Sequence, residues 1–177
     1  MGKAGGDGWS DKKIKFRIKS IMAKTINQRM TVKPEDDLVI FLIGMLINRW
    51  WKIHKWLPVV MAMPKMLKEL SEKKEEFGFL GFESSFGMIL QYWKSFEDLD
   101  AYAKNRNASH LPEWKAFNEK VKSNGDVGIW HETYKIRSGE YECIYNNMPP
   151  YGLGKTGKLI PVAGKMEAAA DRIKKEH

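Results

Sequence analysis

Apolar residues run almost without interruption from Leu38 to Ile47, bounded by Asp36–Asp37 on one side and Arg49 on the other. A short run rich in Val, Ile, Phe and Leu predicts a strand covered on both faces. It falls short of the roughly 20 apolar residues a membrane helix needs. Lengthening it meets Arg49, Lys52, His54 and Lys55, which hydrocarbon rejects. The pattern then changes period. Trp56, Val59, Val60, Met63, Leu67 and Leu70 recur at helical spacing and predict a helix with one apolar face. Pro58 suits its first turn, Pro64 predicts a kink or restart, and Gly78 ends it. Phe79, Leu80 and Phe82 open a second strand. Met88 to Trp93 form a third, joined to it through Ser84, Ser85 and Gly87 as a hairpin.

Ser95 followed by Asp98 starts a second helix in the manner of a capping box. Leu99, Tyr102, Arg106, His110, Trp114, Phe117 and Val121 share one side of it, Pro112 interrupts it, and Gly125 closes it. Alternation from Val127 to Ile136 predicts a fourth strand, and Glu140 to Asn146 a short fifth. Met148 to Lys158, rich in Pro and Gly, reads as a loop, and Met166 to Lys175 as a short terminal helix. The order β-α-β-β-α-β is that of a ferredoxin-like α+β domain. Its helices cover one face of the sheet. A second copy packed sheet to sheet covers the other, which predicts a homodimer and a dimeric α/β barrel. Residues 1–30 read as a basic, partly flexible extension, with Ile14, Ile18, Ile21 and Met22 at helical spacing. Residues 31–155 then form the domain, and 156–177 a tail with a short helix.

Charge and composition narrow the function classes. The net charge is +8, and Lys3, Lys12, Lys13, Lys15, Arg17 and Lys19 put part of it in the leader. No groove-reading motif or zinc-finger spacing accompanies it, which argues against nucleic-acid binding. The single cysteine, Cys143, allows neither an internal disulfide nor a CxxC site. It reads as a packed thiol, and a reducing, cytoplasmic location is the default. Seven Trp, eight Phe and six Tyr supply core and also suit a pocket for a hydrophobic small molecule.

Candidate chemistry concentrates in two places. On the fourth strand Val127, Ile129, His131 and Thr133 point one way and Trp130, Glu132, Tyr134 and Ile136 the other. Either His131 or the Glu132–Tyr134 pair therefore faces a pocket, and each side offers a base for a phenolic or enolic proton. The Tyr145-Asn146-Asn147-Met148-Pro149-Pro150-Tyr151 segment suits a fixed loop that presents donors and acceptors, or an arm that crosses to a partner. Gly152-Leu153-Gly154-Lys155 lacks the spacing of a phosphate-binding loop. No metal-ligand cluster stands out.

Several segments carry a more specific signal: LVIFLIGMLINRWW at 38–51, GFLGFESSFG at 78–87, QYWKSFEDLDAYA at 91–103, HLPEWKAFN at 110–118 and GIWHETYKIRSGEYECIYNNMPPYGLG at 128–154. Together they resemble the monooxygenase-like family of the dimeric α/β-barrel, or antibiotic-biosynthesis monooxygenase, superfamily, a family with a member in the fumagillin pathway. The resemblance implies a monooxygenase-like enzyme acting on a hydrophobic small molecule without metal or flavin. Asn48, Trp50, Tyr102, His110, Trp114, Tyr145 and Asn146 are then candidate substrate contacts, and His131, Glu132 and Tyr134 candidate catalytic groups. The superfamily also holds haem-degrading enzymes and aldoxime dehydratases. In the haem-degrading branch an asparagine of the first strand and an aromatic residue and axial histidine of the second helix hold haem. Their nearest counterparts here are Asn48, Tyr102 and His110, so haem ligated by His110 is the alternative expectation. Tyrosine stands where that branch has tryptophan, and the spacing to the histidine is shorter. A non-catalytic ligand-binding module is the third.

Overall fold

The computed structural model describes residues 24–33, 35–85, 87–105 and 125–173. The strands are β1 (Ile26–Val32), β2 (Leu38–Ile47), β3 (Phe79–Ser85), β4 (Met88–Trp93), β5 (Val127–Ile136), β6 (Tyr145–Met148) and β7 (Leu159–Pro161). The helices are α1 (Ile53–Glu72), α2 (Lys74–Phe77), α3 (Phe96–Lys104) and α4 (Ala169–Arg172). A four-stranded antiparallel sheet has the order β3-β4-β2-β5, so β2 and β4, the first and third of its strands along the chain, lie at its centre. With α1 between β2 and β3 and α3 between β4 and β5, this is the ferredoxin-like α+β arrangement the periodicity predicts.

Local chemistry accounts for the element ends. The Ser95 hydroxyl accepts a hydrogen bond from the Asp98 amide at 3.0 Å and donates to the Asp98 carboxylate at 2.7 Å, which caps α3. Such a cap stabilises by about 1 kcal/mol. Gly78 closes α2 with φ +62°, and the Asp98 carboxyl lies 2.4 Å from where a β-carbon on Gly78 would stand. Only glycine meets both conditions. Pro64 does not end α1, which runs on to Glu72.

The core lies between the sheet and the helices. Val39, Leu70, Phe79, Trp93, Leu99 and Tyr102 form it, with Phe41, Met66, Phe77 and Phe82 packed against it. Trp93 is fully buried, its ring 5.1 Å from Phe79 and 5.6 Å from Tyr102, and its indole N–H donates to the Gln91 side chain at 3.0 Å. Of the predicted apolar face of α1, Leu67 and Leu70 are buried, whereas Val60 points to solvent.

A second sheet, β6-β1-β7, departs from the sequence reading. The short fifth strand expected at Glu140–Asn146 is displaced to Tyr145–Met148. Residues 140–144 instead make irregular contacts, including the Tyr141 hydroxyl on the Asp36 carbonyl and the Thr31 hydroxyl on the Cys143 carbonyl at 2.7 Å. Strand β1 lies where an extension was expected, and it pairs with strands far along the chain at Tyr145–Met148 and Leu159–Pro161. Cys143 is a half-buried neighbour of this sheet's small core of Met30, Val32 and Tyr145. The terminal helix shortens to Ala169–Arg172. The helical pattern at 14–22 and the later part of the second helix, with His110 and Trp114, fall outside the described residues.

The arm after β6 folds back on its own sheet rather than reaching away. A short 3-10 turn at Gly152–Lys155 lies against β3 and β4. Its amides are taken in order: Gly152 N–H donates to the Glu83 carboxylate at 2.8 Å, Leu153 to the Tyr92 phenol, and Gly154 to the Tyr145 phenol at 2.9 Å. Lys155 adds an ion pair to Glu83 at 2.6 Å. The amides of this glycine-rich turn thus serve to fasten the arm. Burial, with the nearby Glu83 carboxylate, pushes Tyr92 up to about 12, so it stays a neutral phenol. The arm covers the β3–β4 half of the sheet's open face. Over β2–β5 that face keeps Leu46, Trp130 and Tyr134 exposed.

Candidate functional site

Pairing with β2 decides which side of β5 does what. Phe41 lies opposite Thr133 and Ile43 opposite His131, and Val39 and Phe41 belong to the helix-side core. His131 therefore shares the helix side, its ring 5.6 Å from Phe41. Half-buried Phe41, Ile43, Met45 and Ile129 form an apolar floor around that imidazole, and His131 itself is accessible. Glu132 and Tyr134 are on the opposite face, hydrogen-bonded to each other at 2.5 Å. The bond to the Glu132 carboxylate, and its charge, hold the Tyr134 phenol above its usual range. The structure separates the three catalytic candidates: His131 stands apart from the coupled Glu132–Tyr134 pair.

One end of the floor is tied off by a buried acid. The Asp126 carboxylate, 2% exposed, accepts from Lys52 Nζ at 2.9 Å through both oxygens and from Arg49 Nη1 at 2.8 Å. The amides of Asn48 and Arg49 donate to its backbone carbonyl, and the Asn48 side chain donates to the Gly125 carbonyl at 3.1 Å. The 48–52 turn is thereby fastened to the start of β5. The Lys52 hydrogen bond, above all, and the charges of Lys52 and Arg49 hold the Asp126 carboxyl below the usual carboxylate range. A folded value below the unfolded one gives a stabilisation that is complete above the ordinary carboxylate range and fades as pH falls through the folded value. Asp126→Asn is thus expected to melt earlier than the parent at neutral pH, with the two melting curves converging in strong acid. Thermal melts across that pH range check this, and parallel curves would refute it.

The other candidate contacts do not gather around His131. Trp50 is exposed on the fastened turn, its carbonyl accepting from the Trp56 indole at 2.9 Å. Tyr102 is in the helix-side core with its hydroxyl 3.4 Å from Glu69, and burial first, then the Glu69 charge, raises its pKa. Tyr145 is in the small second core and holds the arm, and burial raises its pKa too. Asn146 is exposed in β6 opposite Arg29. Sequence reasoning missed two site features. The first is the Arg49–Lys52–Asp126 clamp, whose members are 77 and 74 residues apart. The second is buried Gln91, which lies opposite Phe41 and receives the Trp93 indole. A lone polar residue in an otherwise apolar strand was the available signal for Gln91.

Comparison with known proteins agrees with this architecture. Aldoxime dehydratase (OxdRE), solved in complex with butyraldoxime, superposes on 89% of this chain with TM-score 0.59 at 14% identity, and the match covers 50% of that chain. It supports the fold alone. A curated relative, Monooxygenase af470 of Aspergillus fumigatus, is 28% identical over 99 residues, which is 51% of this chain and 34% of that protein. The chain spans about a third of that relative and half of the solved structure. The family described as Monooxygenase af470-like matches residues 38–153, from the first residue of β2 to the middle of the 3-10 turn. On that match over more than half its length, the chain belongs to the Monooxygenase af470-like family.

Proposed function

We propose that this protein is a monooxygenase-like enzyme acting on a hydrophobic, electron-rich small molecule bound over the helix side of β2 and β5, with His131 as its base. The observation that carries the reading is the imidazole of His131 set beside Phe41 on an apolar floor. A base so placed can take the proton of a phenolic or enolic substrate. The resulting carbanion reacts directly with dioxygen: an activated CH2 becomes a carbonyl and the second oxygen atom leaves as water. Dioxygen is the only oxidant this balance needs. The Glu132–Tyr134 pair lies on the other sheet face and is a structural partner rather than the base. The bare face over β2 and β5 is the seat of a second copy, so the working species is a homodimer.

Oxygen uptake with a panel of polyphenols and anthrone-like substrates tests the reading. His131→Gln is expected to lower the rate by about 10²–10⁴-fold, the usual size of a general-base contribution, while Glu132→Gln leaves it within a few-fold. Equal rates in parent and His131→Gln would refute His131 as base, and no uptake on any substrate would favour a binding module. An absorption spectrum of the purified protein reads the haem alternative. A Soret band that disappears in His110→Ala would replace the cofactor-free scheme.

A further inference from the structure

Helix α1 carries more apolar surface than its core contact uses. Met66, Leu67 and Leu70 serve the core, whereas Ile53, Leu57, Val60 and Met61, at i, i+4, i+7 and i+8, are exposed along its first half, Val60 in line with Leu67 and Met61 turned furthest from the core. The preceding turn adds Trp50 at 72% and Trp51 at 60% exposure, set edge to face with ring centroids 6.1 Å apart. Surface helices are ordinarily polar on their outer side, so an apolar outer stripe calls for an occupant. Covering the bare sheet face with a second copy does not supply one, because α1 lies on the other side of the sheet.

Charge indicates the kind of occupant. From residue 48 to residue 68 the chain has Arg49, Lys52, Lys55, Lys65 and Lys68 and no Asp or Glu. Asp126 offsets part of the charge of Arg49 and Lys52, and Glu72, just past that stretch, lies 3.7 Å from Lys68; counting Glu69 as well, the surface keeps a net positive charge. A second copy docking here by twofold symmetry would set these cations against their own counterparts, which is unfavourable. The depression along the stripe, lined by His54, Leu57, Pro58, Met61, Ala62 and Lys65, is shallow and gives a small ligand little enclosure. A lipid surface needs no concavity. We propose that the Trp50–Trp51 turn and the outer stripe of α1 dock the protein on an anionic bilayer. The two indoles sit at the headgroup level, the stripe enters the acyl boundary, and the lysines reach the phosphates. The Asp126 clamp presents the turn in a fixed shape, so little ordering cost attends docking. No helix among the described residues is long and apolar enough to cross a membrane, and this contact is peripheral.

Co-sedimentation of the full chain with phosphatidylcholine vesicles, with and without phosphatidylglycerol, is the test. The protein is expected to pellet with the anionic vesicles and not with the neutral ones, to be released by salt, and to shift its tryptophan emission to the blue. Trp50→Ser combined with Trp51→Ser is expected to weaken binding on the order of tenfold or more. Both side chains are exposed, so circular dichroism should be unchanged, and Ile144→Ser, at an exposed apolar site elsewhere, should bind as the parent does. Absence of binding to either vesicle overturns the proposal. So does binding that survives the double substitution, which would move the contact to the basic residues 1–30. A self-associated species lost in the double variant would make a second copy the occupant and also overturn it.

Discussion

Trp93→Ala is expected to destabilise the fold by about 3–5 kcal/mol, the range for emptying a buried aromatic site. Trp93 has no exposed surface, and it ends β4, where β2, β3 and α3 converge. The ring touches Phe79 edge-on and leans on Tyr102, so its removal strips one side from both. It also leaves the buried Gln91 side chain without the indole donor it accepts from, a further cost of about 1–3 kcal/mol where no water replaces it. Trp93→Phe keeps most of the volume and loses the hydrogen bond, so it should fall well short of the alanine variant. Urea unfolding checks both: the midpoint should drop with the slope unchanged. A loss under about 1 kcal/mol for the alanine variant would mean that the site collapses or that Trp93 is not central.

Leu46→Asp together with Trp130→Ser is expected to convert a dimer at micromolar concentration into a monomer. The two residues stand out from the β2–β5 half of the open face. The Trp130 indole lies across Gly44, 2.5 Å from where a β-carbon there would sit. A glycine at that register position lets the ring lie flat and present its outer surface. Truncating a central interface anchor commonly costs at least about 2 kcal/mol, or roughly thirtyfold in affinity, and a buried carboxylate adds more. The 145–155 arm already occupies the β3–β4 half of the face, so the proposed interface is narrower than a whole bare sheet would give. Sedimentation velocity of the two proteins is decisive. A parent that runs as a 20.5 kDa monomer would remove the dimer and the shared barrel with it.

The long elements of this fold were legible because each satisfies a local rule. Leu38–Ile47 is an apolar run broken only by Gly44, Ser95 and Asp98 cap a helix, and Gly78 stands where a left-handed residue must. The second sheet was not. Strand β1 has the sequence INQRMTV, in which only the last three residues are buried. It gains its partners from residues more than a hundred positions later, a pairing no window along the chain contains. Strand β7 is three residues long, too short for a period to register. Pro64 predicted a break that packing at Leu67 and Leu70 overrode.

The site divides in the same way. Sequence by itself determined that His131 and the Glu132–Tyr134 pair lie on opposite sides of one strand, because a strand's side chains alternate with period two whatever surrounds it. That rule is symmetric and names no inside. Only the tertiary structure decided that His131 looks toward the helices. The ladder sets Ile43 opposite His131, and Val39 and Phe41 of the same β2 face are held in the helix-side core, so burial of one strand breaks the symmetry of its neighbour. The same logic governs Asp126. Nothing in the sequence near it marks it, and it becomes a clamp because the fold carries Arg49 and Lys52 to within 3 Å of a carboxylate that water no longer reaches.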